Sequence, residues 1–232
     1  MTTEHVNILF QVIVFLFAIS VHESAHAWMA YRLGDPTAFM LGRVTLNPVK
    51  HIDLWGTVIL PLLAIITHFP VIGWAKPTPV NTRHFKHLVR DDILTSVAGP
   101  ISNLLVASVA VAIMVVMQLV SPVGRAAVGN AMIYTFTRGM PLETNSVLVP
   151  LALLLYNAMF INVLLAVFNL IPVPPLDGSH VVRHFLSDSI RRVYDSVGVF
   201  GLFLLLFWGG GLLWTLMSPF VQFFNGLLRM GS

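Results

Sequence analysis

Five residues, His22-Glu23-Ser24-Ala25-His26, place two imidazoles and a carboxylate at a spacing suited to metal chemistry. Residues four apart on a helix project from one face, one turn apart. Two histidines so arranged can grip one zinc ion, and the glutamate between them can act as a general base on water. The surrounding run, VNILFQVIVFLFAISVHESAHAWMA from Val6 to Ala30, is apolar enough to cross a bilayer. Ionisable groups in such a helix are costly, so they mark a functional site. The setting points to chemistry done within the membrane.

The rest of the chain supports that setting. Of 232 residues, 56% are hydrophobic and 10% are charged, against about a quarter charged in a soluble domain. This composition predicts a polytopic membrane protein forming a single domain over 1–232. The N-terminus has no basic stretch ahead of its first apolar run, so it does not read as a cleavable signal. A net charge of +3 suits loops beside a membrane and lacks the clustered basic face that nucleic-acid binding needs. There are no cysteines, so disulfides and thiolate metal sites are excluded and any ligands must be nitrogen or oxygen donors.

A bilayer crossing needs roughly 20 apolar residues, and four segments qualify: about 6–31, 94–120, 147–170 and 194–217. A fifth, Leu54 to Pro70, is short and interrupted by Pro61, and reads as a thin span or a re-entrant hairpin. Positive charge decides between them. If 54–70 does not cross, ten Lys/Arg lie in 32–93 and 171–193, and only Arg125, Arg138 and Arg229 lie opposite. A fifth crossing would flatten that asymmetry. The polarised arrangement places the loop after His26 in the cytoplasm.

Catalytic zinc usually has three protein ligands and one open position. The best third candidate is Asp177, which closes the run Asn169-Leu170-Ile171-Pro172-Val173-Pro174-Pro175-Leu176-Asp177-Gly178. Its prolines forbid regular helix, and irregular backbone at membrane depth requires protein or a hydrated cavity around it. His22 and His26 lie late in the first span, and Asp177 lies just past 147–170. They can share a metal only if both spans run in the same direction, which the non-crossing arrangement provides.

Together HESAH, Ala98-Gly99-Pro100-Ile101-Ser102-Asn103 and Asn169 with Leu176-Asp177-Gly178 resemble the site-2 protease family of intramembrane zinc metalloproteases, in its short bacterial branch without PDZ or CBS domains. The resemblance covers most of the chain. It implies one zinc ion per chain held by His22, His26 and Asp177, with Glu23 activating water and Asn169 contacting substrate or transition state. The segment Gly73-Trp74-Ala75-Lys76-Pro77 resembles the family's re-entrant β-loop, which favours a hairpin over 54–80. The family often has glycine after Asp-Gly, where this chain has Ser179.

The expected fold is therefore all-α and polytopic, with about four to five transmembrane helices, a re-entrant loop and a small β element near the active site. The expected activity is hydrolysis of peptide bonds within or near transmembrane segments of substrate proteins, in regulated intramembrane proteolysis. The partners are such substrates and the lipid bilayer, a homo-oligomer being compatible. The setting is the cell membrane, with the site toward the cytoplasm. An unwound substrate could pair with a strand edge in 42–47 or 73–80. Gly73, Lys76 and Asn103 are candidate substrate contacts, Asn103 reading better as a bond between helices. His51 and Asp53 fit either a place near the site or a turn cap. His180 and His184 mimic a second metal pair but read better as interfacial residues. A zinc transporter using the same ligands, or a non-proteolytic membrane scaffold, is the alternative, and Glu23 separates them.

Overall fold

Thirty residues without glycine or proline form α1 (Thr3–Arg32). It ends in a Schellman motif: Gly34 takes φ 110°, Asp35 N–H donates to Ala30 O at 2.9 Å, and Gly34 N–H donates to Tyr31 O at 3.2 Å. The computed structural model describes residues 3–59, 75–137 and 146–231. Beyond α1 come α2 (Thr37–Met40), α3 (Leu88–Val120), α4 (Pro122–Thr137), α5 (Leu148–Leu170), α6 (Asp177–Arg183), α7 (Asp188–Trp208) and α8 (Gly210–Met230). A 3-10 turn at Pro48–Lys50, a π-helical turn at Leu54–Ile59 and a 3-10 turn at Thr82–His84 complete the regular structure.

Four helices are long and apolar enough to cross a membrane: Glu4–Arg32, Leu88–Val120, Leu148–Leu170 and Gly210–Met230. Side chains such as Val12, Ile13, Leu105, Val109 and Val116 are exposed along them, as lipid-facing positions are. The last apolar stretch, expected as one span over 194–217, is divided. α7 stops at Trp208, Gly209 caps it, and α8 is the helix with spanning character. Three consecutive glycines, 209–211, explain the break, because glycine carries the largest entropic cost in a helix.

The chain forms two compact units. One comprises 1–18, 103–165 and 217–232; the other comprises 19–102 and 166–216. The first buries Met114, Leu153, Tyr156, Met159, Val163 and Leu228. Amide pairs bind it as well: Asn103 Nδ2 donates to Asn162 Oδ1 at 2.7 Å, and Asn157 Nδ2 donates to Asn7 Oδ1 at 2.9 Å. Where water is scarce, such interhelical bonds satisfy groups that would otherwise be stranded.

The second unit carries the chemistry-bearing residues, and Asp35 organises its loops. Fully buried, this carboxylate accepts from Thr37 N–H (3.1 Å) and the Thr37 hydroxyl, from His84 Nδ1 (2.9 Å) and from Asn81 N–H (2.7 Å). Burial would raise its pKa, but the bonds from His84, Thr37 and Asn81 outweigh that and hold it below the usual carboxylate range. A lowered folded-state value means that the stabilisation is complete above the ordinary pKa of about 3.9 and is lost as pH falls through the lowered value. Asp35→Ala is expected to destabilise the protein by about 2 kcal/mol and to remove this part of its acid sensitivity. Thermal unfolding in detergent at pH 7 and below pH 4 measures both.

Among the described residues there is no strand. The strand-like reading of 42–47 is corrected: Gly42 is left-handed at φ 66°, and Arg43 N–H turns back to Ala38 O. Buried Arg43 donates to Lys50 O, and the fully buried His51 ring bonds Thr45 O at 2.9 Å. The Thr45 carbonyl, which a partner strand would have satisfied, is taken by the His51 side chain. Asp53 is a turn cap, accepting from Trp55 and Gly56 N–H at the start of the π-helical turn.

Candidate metal centre

α1 presents His22 and His26 from one face, both buried. Their Nε2 atoms lie 3.0 Å apart. The Pro-rich segment after α5 turns the chain at Leu176, and Asp177 opens α6. Its Oδ2 lies 3.1 Å from His22 Nε2 and 3.3 Å from His26 Nε2. Zinc bonds of about 2.0–2.1 Å at tetrahedral angles would set ligand atoms about 3.3 Å apart, so the spacing fits. Among the described residues this is the one group of three such donors that converges.

The protonation pattern fits a cation too. His26 Nδ1 is 2.7 Å from Thr95 O, a carbonyl that can only accept, so Nδ1 carries the hydrogen and the neutral ring turns a lone pair from Nε2 toward the centre. That lone pair cannot donate to Asp177, and Oδ2 is buried without a hydrogen bond. Acceptors converging on one point call for a positive ion. Two nitrogens and one anionic oxygen, with no thiolate in the chain, match a catalytic zinc set with one position open.

Neighbouring glycines make the approach possible. A Cβ on Gly99 would lie 2.6 and 2.7 Å from Cε1 and Nε2 of His22, and closer still to Nε2 of His26. At Gly178 it would strike the Leu170 and Ile171 carbonyls. Gly99→Ala is therefore expected to lower zinc affinity by about 10- to 100-fold, as disturbing the groups that hold metal ligands does. Gly129→Ala is the control, since nothing lies within 4 Å of a Cβ there. Zinc per chain after dialysis against graded chelator compares them.

Glu23 follows His22 on α1, and its Oε2 accepts from Thr78 N–H at 2.9 Å and the Thr78 hydroxyl at 2.8 Å. Asn169 is half-buried in the last turn of α5. Asn103 is fully buried and gives its amide to Asn162 Oδ1 and Ala18 O, the geometry of a bond between helices. Lys76 is exposed, and its N–H donates to His51 O at 2.8 Å. Gly73 lies outside the described residues. His184 Nε2 pairs with Asp92 Oδ2 at 2.7 Å, with His180 Nδ1 at 3.8 Å, so this pair holds α6 to α3 rather than forming a second convergent set. Sequence reasoning missed Thr78, Asp35 and Asp92, whose partners lie far away in the chain and leave no local pattern.

A polytopic helical protein with His, His and Asp converging beside an HExxH glutamate is, as a class, a membrane metallohydrolase. The chain belongs to peptidase family M50, whose family model matches residues 10–207. It is 34% identical over 212 residues to YwhC of Bacillus subtilis, covering 89% of this chain and 85% of that one. It is 25% identical over 191 residues to Rip2 of Mycolicibacterium smegmatis, covering 82% and 62%. Both relatives carry the name zinc metalloprotease. No solved structure gives a significant match.

Proposed function

We propose that this chain is an intramembrane zinc endopeptidase that cuts other proteins within or near their membrane-spanning segments, in regulated proteolysis. The observation that carries this reading is the convergence of His22, His26 and Asp177 on one point, with Glu23 next in sequence to a ligand, in a helix apolar enough to span. The roles are His22, His26 and Asp177 as ligands of one zinc per chain and Glu23 as general base. Membership of peptidase family M50 supports the hydrolytic chemistry.

Zinc, when bound, supplies Lewis acidity and lowers the pKa of its water toward about 7. His26, fixed by Thr95 O, keeps its lone pair directed inward. Glu23 accepts a proton from the attacking water and returns it to the leaving amine. Asn169 stands as the hydrogen-bond donor to the developing oxyanion. A substrate helix must unwind first, because helical amides are internally bonded and covered.

The finer placement belongs to the same reading. The re-entrant hairpin expected over 54–80 is part of it: among the described residues of that stretch, a π-helical turn spans Leu54–Ile59, and Lys76 N–H is tied to His51 O. Residues 75–80 are the stretch on which an extended substrate would pair. The whole chain works as one domain in the cell membrane, with the site toward the cytoplasm, as the ten-to-three distribution of Lys and Arg favours. Purified chain reconstituted with a single-span reporter tests the activity. Cleavage should stop with 1,10-phenanthroline and return with added zinc, and cleavage insensitive to chelation would reject the reading.

A further inference from the structure

Residues 75–81 form neither helix nor strand and are tied on both sides of Thr78. Lys76 N–H is fixed to His51 O at 2.8 Å, and Asn81 N–H to Asp35 Oδ2 at 2.7 Å. His84, bonded to the same carboxylate, secures the far end. Between these ties Thr78 meets Glu23 through its N–H and its hydroxyl, both on Oε2, and the hydroxyl also lies 3.0 Å from the Glu23 carbonyl oxygen.

We propose that Thr78 is a positioning residue for Glu23: its two donors fix one carboxylate oxygen, so that proton transfer falls to the other. This rests on Glu23 being the general base. A glutamate has three rotatable side-chain bonds, and a base must be held within hydrogen-bond reach of the proton it takes. Two donors on Oε2 fix both the position and the plane of the carboxylate before substrate arrives, and they occupy the lone pairs through which Oε2 would itself accept. The strap on which Thr78 sits is held by its backbone N–H groups to His51 O and to the Asp35 carboxylate, so the donors arrive pre-placed rather than being recruited. The opposite role, a strap that covers Glu23 and must lift off, predicts a change of opposite sign when the hydroxyl is removed.

Full-length, zinc-loaded protein in proteoliposomes with a single-span reporter decides between them. Thr78→Val removes the hydroxyl and keeps the shape; Thr78→Ser keeps the hydroxyl. Thr78→Val is expected to lower kcat by about 10- to 100-fold, the usual cost of losing a group that orients catalytic machinery, with KM and zinc per chain unchanged. Thr78→Ser is expected to restore most of the turnover. Independently of activity, the infrared antisymmetric carboxylate stretch assigned to Glu23 by its loss in Glu23→Gln should shift in Thr78→Val and not in Thr78→Ser. An unchanged or raised kcat in Thr78→Val, an unmoved Glu23 band, or a fall in kcat accompanied by loss of zinc overturns the proposal. Should the parent protein cut no reporter while the band shifts as described, the positioning stands and the proteolytic reading fails.

Discussion

Glu23→Gln is expected to leave zinc bound and to lower peptide hydrolysis by about 1,000-fold or more, within the range general acid–base catalysis supplies. Glutamine has the shape of glutamate but cannot take a proton from water at neutral pH. The proposed ligand set does not include Glu23, so His22, His26 and Asp177 keep their 3.0, 3.1 and 3.3 Å separations. A glutamine carbonyl oxygen can still accept from Thr78, so the strap stays in place. Measuring zinc per chain and reporter cleavage on the same preparation separates chemistry from folding. The same variant separates a protease from a transporter, because zinc transit through these ligands has no need of a base. A zinc-loaded Glu23→Gln protein that cuts at the parent rate would remove Glu23 from the mechanism.

Asp177→Ala acts at the other half of the site and is expected to empty it. The substitution removes the anionic donor of the three and leaves two imidazole lone pairs. Loss of an outer-shell partner alone costs about 10- to 100-fold in metal affinity, so loss of a ligand exceeds that, and activity falls with it. Asp177 opens the short helix α6, whose remaining ties, Gly178 packed on Leu170 and His184 paired with Asp92, are untouched. Helix content by circular dichroism is therefore expected to stay at the parent level. Zinc content equal to the parent's would exclude Asp177 as a ligand.

Much of this site could be read from the sequence because its logic is local. His22, Glu23 and His26 lie within one helical turn and a bit, and helical periodicity alone sets the two histidines on one face. Asp177 was legible for a different reason: a proline run cannot be helix, so an acid ending it had to be accommodated by something specific. The spanning helices followed from apolar length, except at 194–217. There hydropathy summed across Gly209 to Gly211 concealed a break between α7 and α8. The strand expected at 42–47 failed because alternation of side chains says nothing about backbone turns: Gly42 is left-handed, and the Thr45 carbonyl bonds the His51 ring. Thr78 and Asp35 were invisible: their partners are brought near by the fold, and a threonine or aspartate in a loop has a dozen ordinary uses.

The most direct measurement is mass spectrometry of the new termini made when the zinc-loaded parent protein, reconstituted in liposomes, acts on a single-span reporter. The account predicts zinc-dependent termini that fall within or at the edge of the reporter's apolar segment and are absent with Glu23→Gln. An intact reporter beside fully zinc-loaded protein, or termini confined to its soluble flanks, would contradict it.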